Sequence, residues 1–458
     1  MNLRKFFILL WLLVITLATQ AQNALPRKGY LGIKASDLTD ETAISQGLKV
    51  TLGVIVDKIA PRSTADRLQL LQGDIITQIN LKEVNNLNDL GKITNALREN
   101  DKIRVQIWRE GQNMVLAGNV LAKPLETDSL TDVIYGQART KQGGTIRTIL
   151  NKPRRLGQIP VIVLVTDYAC TPIEQLPSTQ YGLLIKDWCA EGFAVMRVEK
   201  SGLGDNLSTP DCDQADWKTE AAGYEAGLKA VRQYDFVDTN AIFVFGHGIG
   251  GTIAPYIAQK QRAAGLIVYG TTFQTWFEFL LKMYRFQNGL RSLDFEDSDK
   301  QLRTLRQFLD EWLSQKKSVT LLAKNPQYKT LLTNELLNTP NTKMVWGRHE
   351  KFWQQLDSLP LATAWRKAQT PVLSIWGAFD TQAFEQDHLC MAQHLHQNGI
   401  VGSEYIRLDS SNHYFIKTNT IEEGQMLMQS RNSQMMHTMF NPKVINVTTA
   451  WIRKRTSK

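Results

Sequence analysis

Cysteine is scarce in this chain. There are four in 458 residues: Cys170, Cys189, Cys212 and Cys390. No two form a C-x-x-C pair, and no cluster of cysteines and histidines has zinc spacing. That excludes a zinc ribbon, a thioredoxin-type redox motif and a metal centre built on cysteine. Long apolar runs are nearly missing as well. The one strong candidate, Phe6–Ala18, falls short of the roughly 20 residues a spanning helix needs. Low-complexity tracts and basic stripes are absent too. The net charge of +9 is spread along the chain, so a solvated basic surface is expected and a nucleic-acid footprint is not.

What is present is ordinary globular composition, with 43% hydrophobic and 21% charged residues, enough chain for two or three cores. The start reads as a secretory signal over residues 1–21. Arg4 and Lys5 precede the apolar run, and Thr19-Gln20-Ala21 puts small residues at the −3 and −1 positions of a cleavage site. No cysteine follows to take a lipid. Export to the periplasm or beyond is expected, with no transmembrane segment in the mature chain. An oxidising compartment permits disulfides. Cys189 and Cys390 fall on helical patterns, whereas Cys170 and Cys212 each follow a core-strand pattern and are the pair proposed to bridge.

Residues 27–123 read as short strands with two helices. Ser63 is set to cap a helix and Gly73-Asp74 to turn into the strand after it. "YLGI" (Tyr30–Ile33), "APRSTADRLQLLQGDIITQIN" and "IRVQIWREGQ" resemble a PDZ domain of the circularly permuted, bacterial-protease type. The resemblance implies a small α+β domain. The backbone N–H groups near Tyr30, Leu31, Gly32 and Ile33 would receive a peptide's C-terminal carboxylate, and the peptide would add as a strand. The helix near Leu87–Leu97 would form the other wall. A PDZ fold that packs on its neighbour and takes no peptide stays open. Arg67 stands where the "AGL" turn of that family has glycine.

From about residue 131 to 458 strand and helix patterns alternate. "QIPVIVLVT", "FAVMRVE", "AIFVFG", "AGLIVYG", "TPVLSIWG" and "SEYIRLD" are β-rich runs separated by helical spacings, the pattern of a doubly wound, mostly parallel sheet. A hairpin is expected over Val133–Leu150, and a helix over Gly251–Arg262. Between about 271 and 369 the alternation stops, and helices rich in Trp, Phe, Leu and Arg suggest an inserted cap. Its aromatic stripes would serve either as core or as the lining of a ligand pocket. Arg348 and His349 fall at the start of a cap helix, or else contact substrate.

Gly246-His247-Gly248-Ile249-Gly250 follows the "AIFVFG" strand with the spacing of a G-x-S-x-G nucleophile elbow, but has glycine at the serine position. Asp380 follows the "TPVLSIWG" strand and His413 the "SEYIRLD" strand. Nucleophile, acid, base is the chain order of α/β-hydrolases. The region resembles that fold, specifically bacterial carboxyl-esterases and dienelactone-hydrolase-like enzymes. The resemblance implies that His413 is the base, Asp380 its orienter and Gly248 a vacated nucleophile position. The oxyanion site would draw on Ile249 and on the loop of Thr166 and Asp167, where relatives carry a glycine-rich turn. A carboxylate there would oppose the anionic intermediate. The expectation is therefore a carboxylic-ester-hydrolase-like protein with impaired catalysis. The alternatives are a hydrolase using water or another nucleophile, and a non-enzymatic peptide-binding protein. An ester or acyl ligand and a peptide C-terminus are the expected partners. Gly202 and Gly204 do not continue into a dinucleotide fingerprint, so no cofactor is expected.

Overall fold

The structure is a computed structural model and describes residues 25–45, 52–329, 331–332, 343–430 and 433–456. The proposed signal segment lies outside the described residues. The chain divides into two compact units, one up to Glu126 and one from Thr127 onward.

The first unit is an antiparallel sheet with short helices. Its strands are β1 (Ile33–Asp37), β2 (Val54–Ile59), β3 (Ile75–Ile79), β4 (Lys82–Glu83), β5 (Lys102–Arg109) and β6 (Gln112–Asn119), in the order β1-β2-β3-β5-β6 with β4 on β3. Along β5, Ile103, Val105 and Ile107 are buried while Lys102 and Arg104 are exposed, the alternation of a half-covered strand. These side chains meet Val54, Val56, Ile79 and Ile93 in one core. Ser63 caps helix Thr64–Arg67 by accepting from Asp66 N, and Asn86 caps helix Leu87–Ala96 by accepting from Asp89 N. Helix Asp40–Ser45 is a third, not among the two expected.

The second unit is built on eight strands. These are β7 (Thr131–Arg139), β8 (Thr145–Pro153), β9 (Ile159–Val165), β10 (Ala194–Val198), β11 (Val237–His247), β12 (Gly265–Tyr269) and, after a two-residue hairpin of β13 (Met344–Val345) and β14 (Arg348–His349), β15 (Val372–Gly377) and β16 (Glu404–Leu408). The order is β16-β15-β12-β11-β9-β10-β8-β7. All neighbours are parallel from β16 to β10, and the β7–β8 hairpin continues the sheet antiparallel. Apolar runs rather than alternation mark the central strands because both faces are covered. In β9, Val161, Val163 and Val165 enter the core on one face, and Ile162 and Leu164 the core on the other.

Between β12 and β15 the described residues are helical apart from the β13–β14 hairpin, with the longest helices at Trp276–Leu290 and Phe295–Leu309. The helix expected over Gly251–Arg262 is much shorter. A 3₁₀ turn, Gly248–Thr252, leads into helix Ala254–Ala258. Consecutive glycines are poor helix formers, and Thr252 Oγ1 donates to the Ile249 carbonyl at 2.7 Å, holding the tighter turn. Cys170 and Cys212 form a disulfide joining the loops after β9 and β10. Cys189 and Cys390 are free, on helices Gln180–Ala190 and Glu385–Gln397.

Candidate functional site

Parallel strands deliver side chains to one sheet edge, where open α/β folds bind ligands. Here the ends of β9, β11, β12, β15 and β16 lead into the segments carrying Asp167, Gly248, Gly270, Asp380 and His413. Asp380 follows β15. Its Oδ1 accepts from Gln382 N at 2.7 Å and Ala383 N at 2.9 Å, leaving Oδ2 to accept from His413 Nδ1 at 2.8 Å. Both residues are buried. Burial works against charge on His413. The adjacent Asp380 carboxylate, by its charge and its hydrogen bond, and Asp167 beyond it outweigh burial and hold the imidazole above its usual range. Gly270, which the sequence reading passed over as a strand end, makes the pair possible. It has φ +59°, and a Cβ there would lie 2.8 Å from both Asp380 Oδ2 and His413 Nδ1.

Gly248 occupies the elbow with φ +55°, and a Cβ on it would lie 2.5 Å from Asp167 Oδ1 and 2.6 Å from Cγ. The Asp167 carboxylate therefore fills the space a side chain at 248 would need. Its Oδ1 accepts from Ile249 N at 2.8 Å, so the elbow's amide donor is already taken. The Asp167 amide is committed as well, donating to Tyr181 Oη at 3.2 Å. Tyr181 Oη lies 2.6 Å from His247 Nδ1, and His247 Nε2 lies 2.9 Å from the His413 carbonyl. This chain of hydrogen bonds ties the Asp167 loop to the His413 backbone. Tyr181 sits on the helix that follows the Asp167 loop, Gln180–Ala190, and left no motif by which to find it. Thr166 turns away from the cavity, its Oγ1 3.2 Å from Tyr224 Oη.

The loop is also held from below. Lys200 Nζ donates to the Asp167 carbonyl and Arg348 Nη1 to the Tyr168 carbonyl at 2.7 Å. Both cations pair with Glu220, at 3.1 and 2.6 Å, and all three side chains are at most 3% exposed. Arg348 is thus neither a surface residue nor a lining residue of the cavity. His349 starts its helix, accepting from Lys351 N at 3.2 Å.

Above Asp167 and Gly248 lies a cavity of about 180 Å³. Helix Trp276–Leu290 contributes Trp276, Phe279, Leu280, Met283, Tyr284 and Gln287, a single stripe at helical spacing. This stripe lines the pocket, whereas Trp312 is wholly buried in the core.

Two further histidines sit close by and are kept neutral. His388 Nε2 accepts from Thr271 N at 3.2 Å, and its Nδ1 lies 2.7 Å from Ser374 Oγ. Burial first, then the charge of His413, lowers His388 and His247 alike to about 3. Their depressed values add stability that is complete above about 6.5, the unfolded value, and is lost as pH falls toward the folded value. Each should contribute a slope of about 1.4 kcal/mol per pH unit in that window. Urea titrations between pH 6.5 and 4 should show His388→Gln losing stability less steeply than wild type by about that amount.

In the first unit, β1 is an edge strand, and Leu87 N at the start of helix Leu87–Ala96 donates to Asp37 Oδ1 at 2.5 Å. The Tyr30, Leu31 and Gly32 carbonyls accept from Thr64, Ala65 and Ala60 N. The N–H groups of Leu31 and Gly32 have no acceptor among the described residues. Gly32 has φ +76°, and a Cβ there would collide with Ser63. Ile33 opens β1 itself.

Residues 29–117 match the family model for the PDZ domain. A probable periplasmic serine endoprotease, DegP-like, of Marinomonas sp. (strain MWYL1) is 26% identical over 97 residues, 21% of each chain. The match thus spans about a fifth of that relative's length. Esterase EstD of Thermotoga maritima is 21% identical over 328 residues, 68% of each chain. Among solved structures, the α/β hydrolase GrgF from Penicillium sp. sh18 is similar with a TM-score of 0.44 and 12% identity, over 71% of this chain and 100% of that one. Residues 29–117 thus match a PDZ domain, and the mostly parallel sheet unit after them lies in the stretch of chain that is similar in sequence to an esterase.

Proposed function

We propose that this is an exported protein whose PDZ groove takes a peptide C-terminus and whose hydrolase-type pocket binds a ligand without serine-type ester turnover. One observation carries the second half. The Asp167 carboxylate lies where a nucleophile's side chain would be and occupies the Ile249 amide that would steady an oxyanion. Attack and oxyanion stabilisation are the two contributions that acyl transfer cannot do without. Here no side chain at 248 is available to attack, and the donor faces a negative charge. Export is supported by the Cys170–Cys212 disulfide and by the periplasmic location in the names of the PDZ relatives. Peptide capture is supported by the edge position of β1 and by the Leu31 and Gly32 amides.

The intact His413–Asp380 pair favours a second reading, in which it activates a water molecule. The two readings part in an assay of the purified chain on p-nitrophenyl acetate and butyrate. Turnover is expected at the background rate and unchanged by His413→Ala. A wild-type rate about a hundredfold or more above background that disappears with His413→Ala would establish the water-based hydrolase.

A further inference from the structure

The pairing of Gly248 with Asp167 is not what simple loss of a nucleophile leaves behind. Loss needs only one change, at position 248. Here a second residue fills the space, and the two are sterically interdependent, since a Cβ at 248 and the present Asp167 carboxylate exclude each other. The carboxylate has also kept a hydrogen bond from the elbow amide, so it is fixed in place. The electrostatic sign of the pocket floor is thereby opposite to what an anionic intermediate or an acyl product would require.

We propose that this pocket binds an organic cation, an ammonium group on a small apolar body, with Asp167 as its counter-ion. The inference rests on the reading that the pocket holds a ligand without serine-type turnover, and it names that ligand's class. Three observations carry it. First, among the described residues no lysine or arginine side chain pairs with the Asp167 carboxylate. Lys200 reaches only its carbonyl and pairs with Glu220, and Arg348 pairs with Glu220 as well. Second, no lysine or arginine lines the cavity, although the chain as a whole is basic. Besides Asp167, the one lining residue able to carry charge near neutrality is His413, whose Nδ1 is spent on Asp380. Third, the walls are aromatic and apolar, with Tyr168, Trp276, Tyr284, Trp346 and Trp353 among them. Rings attract cations through their negative faces, and Asp167 is half-buried, which weakens the screening of its charge by water. Carboxylates would meet repulsion at the floor, and neutral ligands would leave the Asp167 charge with no cation beside it in the cavity.

The test uses a pair of ligands of one shape and different charge, choline and 3,3-dimethyl-1-butanol, with butyrate as the anion. Binding to the purified chain is followed by calorimetry and by tryptophan fluorescence, since three tryptophans line the cavity. Choline is expected to bind at least tenfold more tightly than the neutral isostere, and butyrate not at all. Asp167→Asn keeps the shape and a hydrogen-bond acceptor. It should remove the preference for choline while leaving the thermal midpoint within a few degrees of wild type. Trp276→Leu should weaken both ligands. Equal binding of the two isosteres, tighter binding of butyrate, no detectable binding of choline, or an unchanged preference in Asp167→Asn would each overturn the proposal. Ester turnover in the wild type would instead overturn the reading beneath it, so the two failures are distinguishable.

Discussion

Gly248→Ser alone is expected to leave ester turnover at the wild-type level, whereas Gly248→Ser combined with Asp167→Gly is expected to raise it by about a thousandfold or more. The single change meets two obstacles. The new Cβ would press on Asp167 at 2.5 Å, and the Ile249 amide would still be held by the carboxylate. Removing Asp167 clears both and leaves the new hydroxyl at the cavity that His413 also lines, with the His413–Asp380 pair intact. Losing a triad nucleophile costs about a million-fold and losing an oxyanion donor about a hundred- to a thousandfold. A partial recovery of three orders is therefore conservative, even though a non-glycine residue at φ +55° costs about 1–3 kcal/mol. Steady-state hydrolysis of p-nitrophenyl butyrate measures the gain, and stoichiometric labelling by a fluorophosphonate confirms the new nucleophile. Full activity in the single variant would show that Asp167 swings aside freely, contrary to the fixed carboxylate argued above.

The strands of the second unit were legible because buried parallel strands leave continuous β-branched runs. The placement of Gly248, Asp380 and His413 just after strand ends was legible because each follows such a run. The direction of the Asp167 side chain was not. A sequence shows that a carboxylate stands in a loop, and only the folded chain brings it onto the amide of a residue 82 positions away. Gly270 was missed for a similar reason, since its φ and its closeness to Asp380 and His413 arise from two other strands. Arg348 looked like a surface residue because a charge at a helix start usually is. Its partner Glu220, on helix Trp217–Ala230, is over a hundred residues away and gives no local signal. In the first unit, alternation along β5 and the Ser63 cap were readable locally, while the edge position of β1 depends on pairings between distant segments.

That buried cluster sets the largest stability effect expected in the molecule. Lys200, Glu220 and Arg348 are almost wholly removed from water, and burial lowers Lys200 below its usual range against the opposing pull of Glu220. Glu220→Ala would strand two buried cations, and breaking a buried pair from one side typically costs about 3–5 kcal/mol. For comparison, removing Asp299 from its pair with Arg285, where both side chains are half exposed or more, should cost under about 1 kcal/mol. Urea unfolding of the two variants beside wild type measures both. A Glu220→Ala midpoint equal to that of Asp299→Ala would mean water reaches the cluster and compensates the charges. The expected gap would instead tie stability to the pocket floor. Lys200 and Arg348 also donate to the carbonyls of Asp167 and Tyr168, so the charges that stabilise the fold also fix the loop that presents the carboxylate. Lysine and arginine are thereby kept beneath the cavity rather than inside it, which is the arrangement a cation-binding pocket in a basic protein requires.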